Sequence, residues 1–288
     1  MSHKIVAFQG VLGAYSHMAA QATLPDYEVM PCGSFSEMMA QVRQGAAHMA
    51  MVPVENSTAG RVADIHHLLP ESGLKIAREH FQPVNHQLFG IKGAKLSDIT
   101  HAHSHEQALA QCRDSLDAHH IQAVTHADTA GAAKDIAASQ DKSQAAIASR
   151  LAGEIYDLEL LAENFEDMAS NTTRFLLMAP DAPIAPYEAS KKFVTTMVFQ
   201  LRSVPAALYK ALGGFATNGV NMTKIESYMI GRQQSAAQFY VDLEEHIEAP
   251  AMIHALEELA FYCEDDGLRI LGSYPASDIR YKKAAKAS

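Results

Sequence analysis

The sequence predicts an α/β protein in two parts: a two-lobed region with a cleft between the lobes, then a smaller C-terminal unit of ferredoxin-like βαββαβ order. Three observations carry this. Short apolar runs alternate with helix-compatible stretches from Lys4 to Met178, the rhythm of a parallel sheet wrapped by helices. Pro180, Pro183 and Pro186 then break the pattern. Beyond them strand-like segments dominate, with helical stretches second and fifth in the order.

The first series pairs Ile5 to Phe8 with a helix from about His17, Glu28 to Met30 with a helix from about Phe35, and Met49 to Val54 with a helix from about Val62. The second series has strand-like runs at Ile99 to Ala102, Ile121 to Val124 and Ala145 to Ala148, each followed by a helix-compatible stretch. Phe175 to Met178 is one more strand before the Pro- and Ala-rich linker. These elements place one lobe at roughly 1–75 with 172–182 and the other at 76–171, a C-terminal domain at 193–276 and a tail at 277–288.

In the C-terminal part, Phe193 to Leu201, Val220 to Met229, Ala237 to Leu243 and Leu268 to Tyr274 read as strands. Pro205 and Pro250 are expected to open the two helices, because a proline in the first turn lacks only an N–H that would be unpaired there anyway. The Lys- and Ala-rich stretch after Tyr281 is expected to fray.

At 288 residues the chain exceeds a single hydrophobic core, and 48% apolar with 19% charged residues describes a folded protein. A formal charge of -10 without a basic stripe argues against nucleic acid as a partner. Met1 to Phe8 lacks the apolar core and cleavage site of a signal peptide, so cytoplasmic residence is expected. The apolar runs fall short of the roughly 20 residues needed to cross a bilayer, so no membrane role is expected. Three widely spaced cysteines, Cys32, Cys112 and Cys263, read as buried thiols.

Three loops concentrate polar and glycine residues where strands hand over to helices. In Phe8 to Ser16, Gly10 and Gly13 permit positive φ and Ser16 can cap the next helix; the loop is either a plain turn or an anion seat, and fits no dinucleotide or P-loop fingerprint. In Val52 to Gly60, Glu55, Asn56, Ser57 and Thr58 set a carboxylate, an amide and two hydroxyls at the carboxyl end of a strand, where ligands of open α/β sheets bind. In Asn171 to Phe175, Arg174 offers a planar fork suited to a carboxylate, beside the hydroxyls of Thr172 and Thr173. Together they describe an anionic-ligand cleft without specifying a reaction.

The motifs GAYS at Gly13 to Ser16, VENSTAG at Val54 to Gly60, SHEQALAQC at Ser104 to Cys112 and TRF at Thr173 to Phe175 resemble prephenate dehydratase in order and spacing. PAALYKAL at Pro205 to Leu212 and NMTKIES at Asn221 to Ser227 are similar to the ACT regulatory domain that follows the dehydratase in that family. The resemblance covers nearly the whole chain. It implies a periplasmic-binding-protein-like catalytic domain that converts prephenate to phenylpyruvate with loss of water and carbon dioxide and with no cofactor. Arogenate, the transaminated analogue, is the alternative substrate, since the motifs do not separate the two.

Carried over position by position, the resemblance gives Thr173 the departing hydroxyl, Asn56 the essential amide, and Ser104 and Gln111 polar positions of the site. Glu55 is either an acid or a structural acceptor for backbone amides. Tyr15, Ser57, Thr172, Arg174, Phe175 and His105 are the expected substrate-binding residues. Alternating His101, His103 and His105 share one face of a strand, but with no fourth ligand evident they read as chance clustering among 15 histidines rather than as a metal site. His66, His67, His119 and His120 read as surface or helix residues, and Met38, Met39, Met49 and Met51 as core.

The same resemblance implies an effector site for L-phenylalanine at Ala206, Ala207, Leu208, Asn221, Met222, Glu226 and Ser227, in a homodimer or homotetramer. The chain departs from the family where Ala206 replaces a glycine and where Tyr228 and Met229 replace an arginine and a proline, so a weak or altered response to phenylalanine is expected. The rival of another class is a non-catalytic receptor for small anions, which also closes two lobes on its ligand.

Overall fold

A computed structural model describes residues 4–229 and 237–282. The chain divides into two compact units, 1–62 with 80–175 and 63–79 with 176–288. No described helix is long and apolar enough to cross a membrane.

The first sheet is built from β1 (Ile5–Gln9), β2 (Glu28–Cys32), β3 (Met49–Asn56), the short β4 (Gly60–Arg61), β5 (Lys75–Pro83) and a late strand, Thr172–Ala179. β1 runs parallel to both β2 and β3, with Val6 opposite Val29 and Met49. Val6, Ala7 and Phe8 are fully buried, as expected of a central parallel strand covered on both faces. Helix α1 (Tyr15–Thr23) follows β1, and α2 (Phe35–Arg43) follows β2 and buries Met38, Met39 and Val42. Ser34 starts α2 by accepting the Glu37 amide, the usual N-cap bond. After the β3–β4 hairpin comes α3 (Ala63–Leu68), which contains His66 and His67; the side chain of His66 lies outside the described residues, whereas His67 is exposed.

The second sheet contains β6 (Gln87–Gly90), β7 (His101–Ser104), β8 (Gln122–Thr125), β9 (Gln144–Ala148) and β10 (Glu159–Ala162), in the order β10-β6-β9-β7-β8. β7 is parallel to β8 and β9, whereas β6 is antiparallel to β9 and β10. The helices are α4 (Glu106–Gln111), α5 (Arg113–Ala118), α6 (Thr129–Ser139) and α7 (Arg150–Ile155). Asp128 caps α6 through the Gly131 amide and Ser149 caps α7 through the Ala152 amide. With the late strand as β11, the first sheet has the order β2-β1-β3-β11-β5, with β4 on β3. Gly13 has φ +90°, and a Cβ there would lie 2.7 Å from Ala152 Cα, so this glycine serves close packing on α7 rather than ligand approach.

The C-terminal strands β12 (Phe193–Leu201), β13 (Met222–Met229), β14 (Ala237–Leu243) and β15 (Cys263–Pro275) form an antiparallel sheet of order β13-β14-β12-β15. With α8 (Ala207–Thr217) and α9 (Pro250–Tyr262) this is the expected βαββαβ arrangement around Met197, Phe199, Phe215, Val241 and Leu259. Pro250 does sit in the first turn of α9. Pro205 does not open α8: the residue between them, Ala206, is left-handed at φ 60°, ψ 25°, so the helix starts only at Ala207. β15 begins five residues earlier than Leu268, at Cys263, because it pairs with β12 through two register shifts.

The proline-rich linker is docked rather than loose: Ala185 O accepts from His246 Nε2 at 2.8 Å and Tyr187 stacks on the same imidazole. The chain continues into α10 (Ile279–Lys282), and the expected fraying tail at 283–288 lies outside the described residues. Cys32, Cys112 and Cys263 are free and buried.

Candidate active site

Within the first unit, the carboxyl ends of β1, β3 and β7 and the starts of α1, α4, α6 and β11 enclose a cavity of about 260 Å³. Strand ends of this kind are where open α/β sheets bind ligands, because the backbone turns away there and leaves room.

Asn56, at the end of β3, organises the polar wall. Its Oδ1 accepts from the amides of Thr58 (3.0 Å) and Ala59 (2.8 Å), which fixes the orientation of its side chain. Both protons of Nδ2 are then committed, to Asn171 Oδ1 at 2.7 Å and Thr173 Oγ1 at 2.9 Å. Asn171 Nδ2 in turn donates to Gln111 Oε1 at 2.7 Å, which leaves the Gln111 amide protons as the donors of that side chain. Thr173 Oγ1 accepts from Asn56, so its own proton is available to a ligand. A chain of bonds in one sense polarises each member and holds the wall rigid.

Tyr15, His105 and Phe175 also line the cavity. Burial first, then the charges of Glu166 and Cys112, hold the Tyr15 hydroxyl well above its usual pKa, so it stays a phenol. His105 Nδ1 accepts from the Gln107 amide and caps α4. Ser16 lines the cavity as the second residue of α1 and is not its cap: that position is Ala14, which has no side-chain oxygen to offer. The first-turn amides of α1 therefore lack a side-chain cap and face the positive end of the helix toward the cavity rim, a favourable place for a carboxylate.

Five expected site residues stand outside the lining. Ser104 is wholly buried and its hydroxyl donates to Ile147 O at 2.6 Å, clasping β7 to β9. Ser57 accepts the Thr172 amide at 2.9 Å and exchanges a second bond with the Thr172 carbonyl, which stitches the VENSTAG loop to β11. Arg174 is buried, and Glu55 sits opposite Arg61 in the β3–β4 hairpin. The cavity instead includes His86, Gln107, Asp128, Thr129 and Asn171. Of these, Asn171 carries a sequence signal as the first residue of the polar NTTRF run and Gln107 lies within the SHEQALAQC motif, although neither stands among the expected site residues. His86 lies in an irregular turn without periodicity, and its imidazole is held down to about 4 by burial, with Gln111 offsetting part of the shift.

The alternating histidines separate by partner: His101 bonds Thr100, His103 bonds Gln144, and His105 caps α4. Among the described residues no group of three or more His, Cys, Asp or Glu side chains is placed to hold a metal ion.

In the C-terminal unit, Ala206 and Ala207 form the turn and first residue of α8, with Leu208 packed against the core. Asn221 Nδ2 donates to Glu244 at 2.7 Å, Met222 begins β13, and Glu226 pairs with Lys224. Ser227 lies opposite Phe239 on β14. Tyr228 bonds Gln238 and sets its ring edge against His67, with centroids 4.9 Å apart.

The family described as prephenate dehydratase matches residues 6–183. A bifunctional N-acyl-homoserine lactone acylase/prephenate dehydratase of Komagataeibacter europaeus is 47% identical over 97% of this chain and 98% of its own length. Arogenate dehydratase/prephenate dehydratase 1 of Arabidopsis thaliana is 37% identical over 96% of this chain and 73% of its own length. Among solved structures, prephenate dehydratase from Arthrobacter aurescens in complex with L-Phe superposes with a TM-score of 0.84 at 30% identity, covering 98% of this chain and 97% of that one. A quorum-quenching acylase structure, GqqA, gives a TM-score of 0.90 at 47% identity, covering 96% and 100% of the two chains. The four sequence motifs around the cavity thus fall inside a family match that spans more than half the chain: it belongs to the prephenate dehydratases, a family of carbon–oxygen lyases.

Proposed function

We propose that the protein converts prephenate to phenylpyruvate in phenylalanine biosynthesis, at the cavity of the first unit and through its own side chains. One observation carries the reading: Asn56 donates to Thr173 Oγ1, so the Thr173 proton is left for a ligand oxygen. The prephenate dianion takes up one proton in all. The C–C bond to the ring carboxylate breaks to release carbon dioxide, its electron pair enters the ring, and the C–O bond at the opposite carbon breaks to release water. Aromatisation supplies the driving force, so the protein has to orient the carboxylates and stabilise the departing oxygen.

In this reading Thr173 donates to the departing hydroxyl, and Asn56 holds it in that sense. The Gln111 amide protons and the uncapped first turn of α1 receive the carboxylates. Tyr15, His105 and Phe175 shape the cavity around the ring. Glu55, Ser57, Ser104, Thr172 and Arg174 act from behind the wall, holding its loops and strands in place. The test is to mix pure protein with prephenate and arogenate in competition and follow phenylpyruvate and phenylalanine; a receptor for small anions would bind without turnover.

The C-terminal βαββαβ unit, at 193–276, is on this reading an ACT-type regulatory domain that joins subunits into a dimer or tetramer and responds weakly to L-phenylalanine. Arogenate is the second reading, favoured by the Arabidopsis relative's double name. Acylase chemistry, named for the Komagataeibacter relative, has less support. It needs an activated nucleophile, and among the described cavity hydroxyls the one beside an imidazole, Tyr15, gives its proton to Asn85 O.

A further inference from the structure

Two helix starts border the cavity, and they differ in charge. The first turn of α1 has no side-chain cap, so its amides present the positive end of that helix. The start of α6 is capped by Asp128, whose Oδ1 accepts from the Gly131 amide at 2.6 Å, and both Asp128 and Thr129 line the cavity. The two starts are neighbours: Val11 and Ala14, ahead of α1, pack on the apolar cluster that contains Ala130, Ala132 and Ala133 of α6. Tyr156 belongs to the same cluster; it donates to Leu12 O at 3.0 Å, while burial and then the charge of Asp128 raise its pKa.

No described side chain of the cavity answers the Asp128 charge. Asp128 is the one carboxylate of the lining among the described residues, and no described lysine or arginine lines it. Burial keeps His86 neutral. His105 spends Nδ1 as an acceptor for the Gln107 amide, which a doubly protonated imidazole cannot do. His126 sets its Nε2 3.1 Å from Asp135 and its Nδ1 against the Asp128 backbone, not against the Asp128 carboxylate. Oδ2 of Asp128 makes no hydrogen bond to another described residue.

A carboxylate beside a helix start that seats an anion suits a ligand with a cation and an anion on adjoining atoms, as in an α-amino acid. The side chain of prephenate brings a ketone and a carboxylate; that of arogenate brings an ammonium and a carboxylate. We propose that Asp128 is the residue by which the cavity separates these two substrates: Oδ2 pairs with the arogenate ammonium, beside the α1 start that takes the side-chain carboxylate, and repels the ketoacid of prephenate. This rests on the dehydratase reading and adds to it the group that sets substrate preference. The chemical step stays with Thr173 and Asn56, because the ring hydroxyl is common to both substrates.

The test measures initial-rate kcat/KM on arogenate, followed as phenylalanine, and on prephenate, followed as phenylpyruvate, in wild type, Asp128→Asn and Asp128→Ser. Both replacements keep a side-chain oxygen to cap α6 and remove the charge. Each is expected to weaken arogenate and improve prephenate, so that the arogenate-to-prephenate ratio of kcat/KM falls by about tenfold or more relative to wild type. A smaller fall overturns the proposal, whether both substrates weaken together, as for a residue that only caps α6, or neither changes. So does a wild type that turns over prephenate alone, which leaves the dehydratase reading standing. Should neither variant hold its fold in urea unfolding, wild type decides: a higher kcat/KM on arogenate than on prephenate supports the pairing, and the reverse order sinks it. A wild type that turns over neither substrate is a separate outcome, which removes the dehydratase reading and this inference with it.

Discussion

Asn56 Nδ2 lies 2.9 Å from Thr173 Oγ1, which joins two side chains 117 residues apart and decides which way the threonine proton points. Thr173→Val keeps the shape and removes the proton. It is expected to lower kcat by about 10²- to 10³-fold, as for other lost donors to a developing oxyanion. Thr173→Ser keeps the proton and should stay within about tenfold. Asn56→Asp replaces the donor by an acceptor, so the Thr173 proton turns toward the carboxylate and kcat should fall as far as in Thr173→Val. Steady-state rates on prephenate check all three; a fully active Asn56→Asp would show that the orienting bond is dispensable.

Burial of His86 also sets a pH dependence of stability. Its folded pKa is about 4, below the ordinary 6.5, so the unfolded chain binds the proton more readily. Stability from this residue is intact above pH 6.5 and is lost as pH falls toward 4. The loss is about 2 kcal/mol between pH 7 and pH 5. His17 is shifted in the same direction by burial. Urea unfolding at the two pH values should therefore show a smaller acid loss in His86→Phe than in wild type, and equal slopes would contradict the burial argument.

How far the sequence spoke depends on whether a residue's role is local. Alternating strands and helices, the βαββαβ order and the start of α2 at about Phe35 rest on periodicity and nearest neighbours, and they are legible. The antiparallel β6 and β10 are not, because their pairing partners are set by distant chain. The cavity divides in the same way. Asn56, Gln111 and Thr173 sit in compact polar motifs, whereas His86 matters only because Tyr15 and Asn85 fold against it. Ser104 shows the converse: its motif is visible, but the hydroxyl is spent on Ile147 O.

Arg280 on α10 makes a two-pronged bond to Glu79, at 2.7 and 2.8 Å, and approaches Asp242 within 3.7 Å. Both carboxylates are fully buried, so the guanidinium offsets part of the cost of holding their charges away from water. Arg280→Ala is expected to cost about 3–5 kcal/mol, the range for removing one partner of a buried ion pair. Glu79→Ala leaves Arg280 beside Asp242 and should cost less. Urea midpoints order the two variants, and the reverse order would show that Asp242 draws little from Arg280.

Ala206 holds φ 60° at the start of α8, a conformation that costs an L-residue with a Cβ about 1–2 kcal/mol and glycine almost nothing. The resemblance implies a glycine at this turn, and the left-handed backbone here is one that glycine would hold without the Cβ strain. Ala206→Gly should raise unfolding stability, with a net gain of about 0.5–1 kcal/mol once the greater freedom of glycine in the unfolded chain is set against the relieved strain. If the C-terminal unit binds phenylalanine as proposed, Ala206→Gly also clears a methyl from the amides at the α8 start, the seat proposed for the phenylalanine carboxylate. Inhibition by phenylalanine should therefore strengthen in Ala206→Gly relative to wild type, and strengthen again when Tyr228→Arg supplies a cation. A stabilised Ala206→Gly protein with an unchanged phenylalanine response would assign the alanine to backbone strain alone, and would move the cause of any weak response to Tyr228 and Met229.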